Sequence, residues 1–203
     1  MTEILDDVYR SRVSEEWEIA ERDDPAAHTS TAGPLDEDEV GSFASEGFLF
    51  KERLFSESEV RSLLNEADRI RRNAKDVDAA GVIKEPGSEV VRSVFRVHRN
   101  EVFKSLITCD SRMVDPVRQL LGSDVYIHQS RVNFKPAFDG KEFFWHSDFE
   151  TWHIEDGMPR MRAISVAINL TETNEFNGPL MVIPKSHLKY VRCAGATPKD
   201  HYK

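Results

Sequence analysis

Two alternating segments, 125–136 and 162–171, constrain the fold of this chain more than any other feature. In "VYIHQSRVNFKP" the residues Gln129, Arg131, Asn133 and Lys135 share one face, and Ser130, Val132 and Phe134 share the other. In "RAISVAINLT" Ile164, Val166, Ile168 and Leu170 stand opposite Ser165, Ala167 and Asn169. A period of two marks strands with one face turned to a core. "GPLMVIPKSH" (178–187) reads as a further short, buried strand.

Upstream of Asp124 the texture is mostly helical. "SESEVRSLLNEADRI" opens with Ser56 and, three residues on, Glu59, the spacing of a capping box. Val60, Leu63, Leu64, Ala67 and Ile70 then keep helical spacing. "SRMVDPVRQLLG" (111–122) predicts a helix stopped by Gly122, and "SEVVRSVFRVH" (88–98) a strand. Helices followed by successive strands predict an α+β, mainly β architecture: a jelly roll, or double-stranded β-helix, with helices at its N-terminal side.

The 203 residues carry a formal charge of −9, unevenly placed. Residues 1–40 hold 13 acidic and 3 basic side chains, so the remainder is close to neutral. This divides the chain into an acidic, solvated segment, 1–40, and a single folded domain, 41–203. A short first helix and a loop over 21–36, "ERDDPAAHTSTAGPLD", are expected within the lead-in. The acidity argues against nucleic acid as a partner. No apolar run approaches 18 residues, which argues against a membrane span, and "MTEILDDVYR" lacks the pattern of a secretory leader. Cys109 and Cys193, with no metal-binding spacing, read as free thiols in a reducing cytoplasm.

"FFWHSDFETWH" places His146 and Asp148 two positions apart. On a strand they would point the same way, and imidazole plus carboxylate is two-thirds of the facial triad that holds Fe(II). An isolated pair of this kind is more often a surface ion pair, but its surroundings favour a site. Lys135 offers a fixed charge for an organic carboxylate, and Gln129 and Asn133 on its face could orient a small polar ligand. Phe143, Phe144, Trp145 and Phe149 are expected mostly in the core, with Trp152 available as a wall for a cationic ring.

The stretch "FFWHSDFETWHIEDGMPRMRAISVAINLTETNEFNGPLMVIPKSH", with "HQSRVNFKPAF" upstream, closely resembles the signature of the ectoine hydroxylases. These are a branch of the phytanoyl-CoA-dioxygenase-like Fe(II)/2-oxoglutarate oxygenases. The resemblance implies that His146 and Asp148 are iron ligands and that Lys135, Asn133 and Ser165 contact 2-oxoglutarate. It also implies that Gln129 and Trp152 contact ectoine. The implied reaction couples oxidative decarboxylation of 2-oxoglutarate by O₂ to hydroxylation of ectoine at carbon 5, and it leaves a homodimer open for a full-length protein. Competing readings are a related hydroxylase with another small substrate, and a non-catalytic fragment.

The family's third iron ligand, a histidine, and the arginine that follows it are expected beyond Lys203. Within the chain His153, His187 and His201 are poor candidates for that histidine. His187 sits in "PKSH", where the family usually has Pro-Gly-Ser-His, so Lys185 departs from the pattern. The expectation is that these residues form the N-terminal part of the jelly roll, and that alone they would aggregate and not hydroxylate ectoine.

Overall fold

The computed structural model describes residues 8–9, 19–22, 24–28, 32–74, 81–135, 140–141, 143 and 145–191. Among them are five helices: α1 (Glu37–Glu46), α2 (Glu57–Arg72), α3 (Glu101–Phe103), α4 (Ser111–Leu121) and α5 (Asp148–Asp156). Helix α3 runs on into a π-helical turn, Lys104–Thr108. The strands are short: β1 (Ile19–Glu21), β2 (Val82–Lys84), β3 (Val91–Phe95), β4 (Arg131–Asn133) and β5 (Lys189–Val191). Strands β2, β3 and β4 form one antiparallel sheet in that order, and β1 pairs with β5 in a second.

Local chemistry explains the helix ends. Ser56 and Glu59 cap α2 reciprocally, as their spacing predicts, and Asp36 with Glu39 does the same for α1. Helix α4 starts at Asp110, whose carboxylate accepts from Arg112 N–H, and stops at Gly122, φ 61°. Arg112 also bonds Glu59 at 2.6 Å and the Leu54 carbonyl at 3.0 Å, tying the starts of α2 and α4 together. The Arg112 bond, reinforced by Ser56, pulls the Glu59 carboxyl down to about 2.

Two cores result. Leu63 and Ala67 of α2 meet Val97 and Phe103, with Val132, Phe134 and Leu170 packed against them. The inward face predicted for 125–136 is therefore correct at Val132 and Phe134. The second core joins Tyr9, Phe149 and Tyr190, with Val8, Ala20, Met158 and Met161 around them.

Several expectations need correction. The strand expected over 125–136 shrinks to Arg131–Asn133, with flanking bonds from Arg96 N to Ser130 O and from Phe134 N to Arg92 O. Its partner β3 ends because Arg96 turns into the left-handed region at φ 62°, so residues before Ser130 have nothing to pair with. Residues 162–170 lie in no ladder, and of the face expected to be buried Ile164, Ile168 and Leu170 are half-buried while Val166 is 49% exposed. Alternation fixes which face a side chain takes; it does not supply a pairing strand. The segment 178–187 is neither paired nor buried, with Leu180, Met181, Val182 and Ile183 all more than half exposed. The acidic lead-in is not simply solvated: Tyr9 is fully buried, and Leu35 nearly so. Most of the first helix expected there lies outside the described residues, and its end, Ile19–Glu21, is β1. Cys109 is a free thiol as expected; Cys193 and His201 lie outside the described residues.

The departure at Lys185 has a backbone consequence. Lys185 adopts φ 65°, N-terminal to a 3-10 turn at Ser186–Leu188. For a residue with a Cβ the left-handed conformation costs about 1–2 kcal/mol, and glycine escapes that cost. The Lys185–Glu46 pair, at 3.8 Å and exposed, offsets little of it. Lys185→Gly is expected to raise stability by up to about 1 kcal/mol, read as a higher urea midpoint at unchanged slope. An equal or lower midpoint would show that the turn carries no such strain.

Candidate metal and substrate site

The His-Asp pair sits at the entrance of a helix rather than along a strand, and this corrects the basis on which the two were grouped. Ser147 is the N-cap of α5 and Asp148 its first residue, while Gly157, φ 74°, closes the other end. The geometry still brings the pair together. His146 Nε2 and Asp148 Oδ1 lie 3.4 Å apart, and the Ser165 hydroxyl donates to Asp148 Oδ2 at 2.9 Å. The His146 hydrogen bond, then the Ser165 bond and the Arg131 charge, hold the Asp148 carboxyl below its usual range against the opposing effect of burial.

Neighbouring donors on an octahedral cation with arms of about 2.1 Å lie roughly 3 Å apart. An imidazole nitrogen and a carboxylate oxygen at 3.4 Å therefore fit one coordination sphere, and that donor pair suits Fe(II). No third His, Cys, Asp or Glu joins them among the described residues. His153 is fully buried, with Nδ1 2.7 Å from the Met158 carbonyl and Nε2 3.1 Å from that of Tyr9. His187 Nε2 donates to the Ala44 carbonyl at 2.9 Å. Backbone carbonyls take up both ring nitrogens of His153, and neither histidine groups with the His146–Asp148 pair.

The approach to His146 is held by a buried ion pair. Arg92, on β3, bonds Glu85 at 2.9 Å and the Lys141 carbonyl at 3.2 Å, and its guanidinium lies 3.7 Å from the Phe143 ring centre. The β2–β3 hairpin thus fastens the stretch that leads into the pair. Phe149 is core, as expected, but Trp145 is 57% exposed; Phe144 lies outside the described residues.

The sites inferred for small ligands surround this centre. Asn133 accepts a 2.7 Å bond from the Ser93 hydroxyl through Oδ1, which leaves its amide N–H groups to donate. Lys135 is exposed and runs against Gly178: a Cβ there would stand 2.0 Å from Lys135 Nζ. Gly178 has φ 77°, a backbone conformation that favours glycine, whereas the end of the flexible Lys135 side chain could give way. Ser165, expected as a 2-oxoglutarate contact, donates to a carboxylate oxygen of Asp148. Trp152 is half-buried on α5, and Gln129 is exposed beside His128.

Two functional neighbours were missed in the sequence. Arg131 shares the polar face of Gln129, Asn133 and Lys135 and acts on Asp148; its place in that alternation was the available signal. Arg92 gave none, because only the tertiary fold sets it under Phe143.

Comparison with known proteins gives the family. The phytanoyl-CoA dioxygenase (PhyH) family profile matches residues 43–203. The ectoine dioxygenase of Bordetella bronchiseptica is 49% identical over 199 residues, covering 97% of this chain and 65% of that protein. The ectoine dioxygenase of Sphingopyxis alaskensis is 44% identical over 200 residues, covering 98% and 65%. The chain thus spans just under two thirds of the length of these relatives. Crystal structures of EctD from S. alaskensis, one with bound Fe and one with 2-oxoglutarate and 5-hydroxyectoine, superpose with a TM-score of 0.87 at 43% identity. Each match covers 96% of this chain, and 70% and 69% of the two crystal chains. With a profile match over most of its length and a donor pair suited to iron, the chain belongs to the phytanoyl-CoA dioxygenase family.

Proposed function

We propose that this chain carries the N-terminal part of a jelly-roll ectoine hydroxylase, using Fe(II), 2-oxoglutarate and O₂ to make 5-hydroxyectoine, succinate and CO₂. The observation that carries the reading is the convergence of His146 and Asp148, 3.4 Å apart at the start of α5, with Trp152 one turn further along the same helix. The identity to ectoine dioxygenases, and a neighbour holding both 2-oxoglutarate and 5-hydroxyectoine, support the choice of substrate.

In this reading His146 and Asp148 hold the iron, with the third ligand supplied beyond Lys203. Iron so held supplies the activation of O₂ and of the bound 2-oxo acid. Lys135 and the Asn133 amide bind the carboxylates of 2-oxoglutarate. Gln129 orients ectoine, whose amidinium ring lies against Trp152. Ser165 keeps Asp148 ionised and aimed. Residues 1–40 remain an acidic N-terminal segment, and 41–203 part of one domain. No helix among the described residues is long and apolar enough to cross a membrane; we place the enzyme in the cytoplasm, with a homodimer as its full-length assembly.

The direct test, on the full-length protein that carries the third ligand, is ectoine-dependent release of succinate from 2-oxoglutarate, with proline and an acyl-CoA as competing substrates. Release with either of these and none with ectoine would overturn the substrate. His146→Ala and Asp148→Ala are expected to lose iron and hydroxylation together. Even outer-shell losses cost about 10–100-fold at metal sites, so full activity with stoichiometric iron in either variant would remove the pair from the site.

Trp152→Ala should raise KM for ectoine while iron and 2-oxoglutarate binding stay near normal. A desolvated cation over an indole gains about 2 kcal/mol, roughly thirtyfold in affinity. An unchanged KM would make Trp152 a packing residue only.

Ser165→Ala removes one of the bonds that lower the Asp148 carboxyl. A depressed carboxyl contributes to stability and metal binding above its ordinary range, and that contribution is lost as pH falls through the lowered value. Removing the hydroxyl raises that value, so iron should leave at a higher pH than in the wild type. Coincident acid release curves would refute the role.

A further inference from the structure

Helix α5 carries one face that the proposed chemistry uses only in part. Asp148, Trp152 and Asp156 follow at intervals of four and so lie along one side of the helix. The first belongs to the proposed metal pair and the second to the proposed substrate wall. Asp156, at the last turn, has been given no task. Its Oδ2 accepts a 3.0 Å bond from His128 Nε2. The His128 ring then meets Trp152 edge to face, with centroids 5.2 Å apart and planes at 69°, and it also meets Tyr126 at 6.4 Å and 71°. His128 immediately precedes Gln129.

We infer that His128, held by Asp156, is a positioning residue that braces the Trp152 indole and fixes Gln129 relative to it. The inference rests on the ectoine reading of Trp152 and Gln129. The bond spans 28 residues and joins the segment before β4 to the end of α5. Residues 125–129 lie in no sheet, so ladder bonds do not set their distance from the helix. The ring supplies what the missing ladder does not. Its nitrogen reaches the helix while its edge limits rotation of the indole, a preferred aromatic arrangement. An indole held in one orientation offers its face to a cation without reordering on binding, and preorganisation of this kind lowers the cost of association.

The expected consequence is selective. Loss of the brace loosens the wall and leaves the metal pair alone. In the full-length protein, His128→Ala should raise the KM for ectoine about tenfold, part of the roughly thirtyfold that complete loss of a desolvated cation–indole contact brings. Iron content and KM for 2-oxoglutarate should not change. Asp156→Asn, which keeps the ring but weakens its anchor, should shift the ectoine KM in the same direction by less. A second readout needs no substrate: with 5-fluorotryptophan incorporated, the Trp152 resonance should move or broaden in both variants, while Trp145 stays in place.

An unmoved Trp152 resonance in both variants would overturn the brace, as would an equal rise in KM for both substrates. If His128→Ala does not fold, Asp156→Asn decides alone by the same two readouts. If the wild type fails to turn over ectoine, the substrate reading falls and with it the role for Gln129, while the fluorine resonance still decides whether His128 braces Trp152.

Discussion

The seating of α5 is the constraint on which the site depends. Phe149 and His153, four residues apart, are the buried side of this short helix. Phe149 meets Tyr9 edge to face at 5.6 Å and Tyr190 at 6.0 Å, while Tyr9 and Tyr190 stack at 4.6 Å. His153 stacks on Phe149 and reaches two backbone carbonyls. A helix of nine residues has little stability of its own and relies on packing. The partners come from opposite ends of the described chain: Tyr9 from the acidic lead-in and Tyr190 from β5, which the β1–β5 pairing holds in place. The N-terminal segment is therefore part of what aims Asp148.

The His-Asp pair shows how a correct grouping can rest on the wrong secondary structure. Two residues apart on a strand means one face, and from that premise the residues were expected to meet. In the fold they meet because the chain turns into a helix between them, at Ser147. The signs of a helix were present: Ser147 and Glu150 at capping-box spacing, acidic residues in the first turn, and Gly157 just past the end. They were masked by weak amphipathicity, because only Phe149 and His153 are buried, and a buried histidine does not read as an apolar position.

The helices α2 and α4 were legible because caps and apolar spacing act within one element. Burial was partly legible: Val132, Phe134 and Leu170 point where alternation puts them. What sequence could not specify was pairing, which depends on partners far along the chain. Arg96 in a left-handed turn ends β3, and so sets the length of β4. Nothing in 178–187 foretold that an apolar run would be exposed in the described fold. Arg92, Glu85 and Phe143 join residues up to 58 positions apart, and no local pattern announces such a cluster.

The outer face of α5 relates the parts of the proposed site to one another. Successive residues at four-position spacing rise about 6 Å along the axis. Asp148 and Trp152 are thus held at a separation that side-chain motion changes but backbone motion does not. In the proposed hydroxylase one carbon of the substrate would have to be presented to the metal, and small misplacements cost rate steeply. If the carboxylate and the substrate wall stood on separate loops, their spacing would drift with each. On one helix it is set by hydrogen bonds internal to that helix. The remaining freedom is rotation of the indole and the distance of Gln129, both of which lie at the His128 contact. The rest of the site is aligned to this helix from outside, by Ser165 on Asp148 and by Arg92 on the strand-to-helix approach.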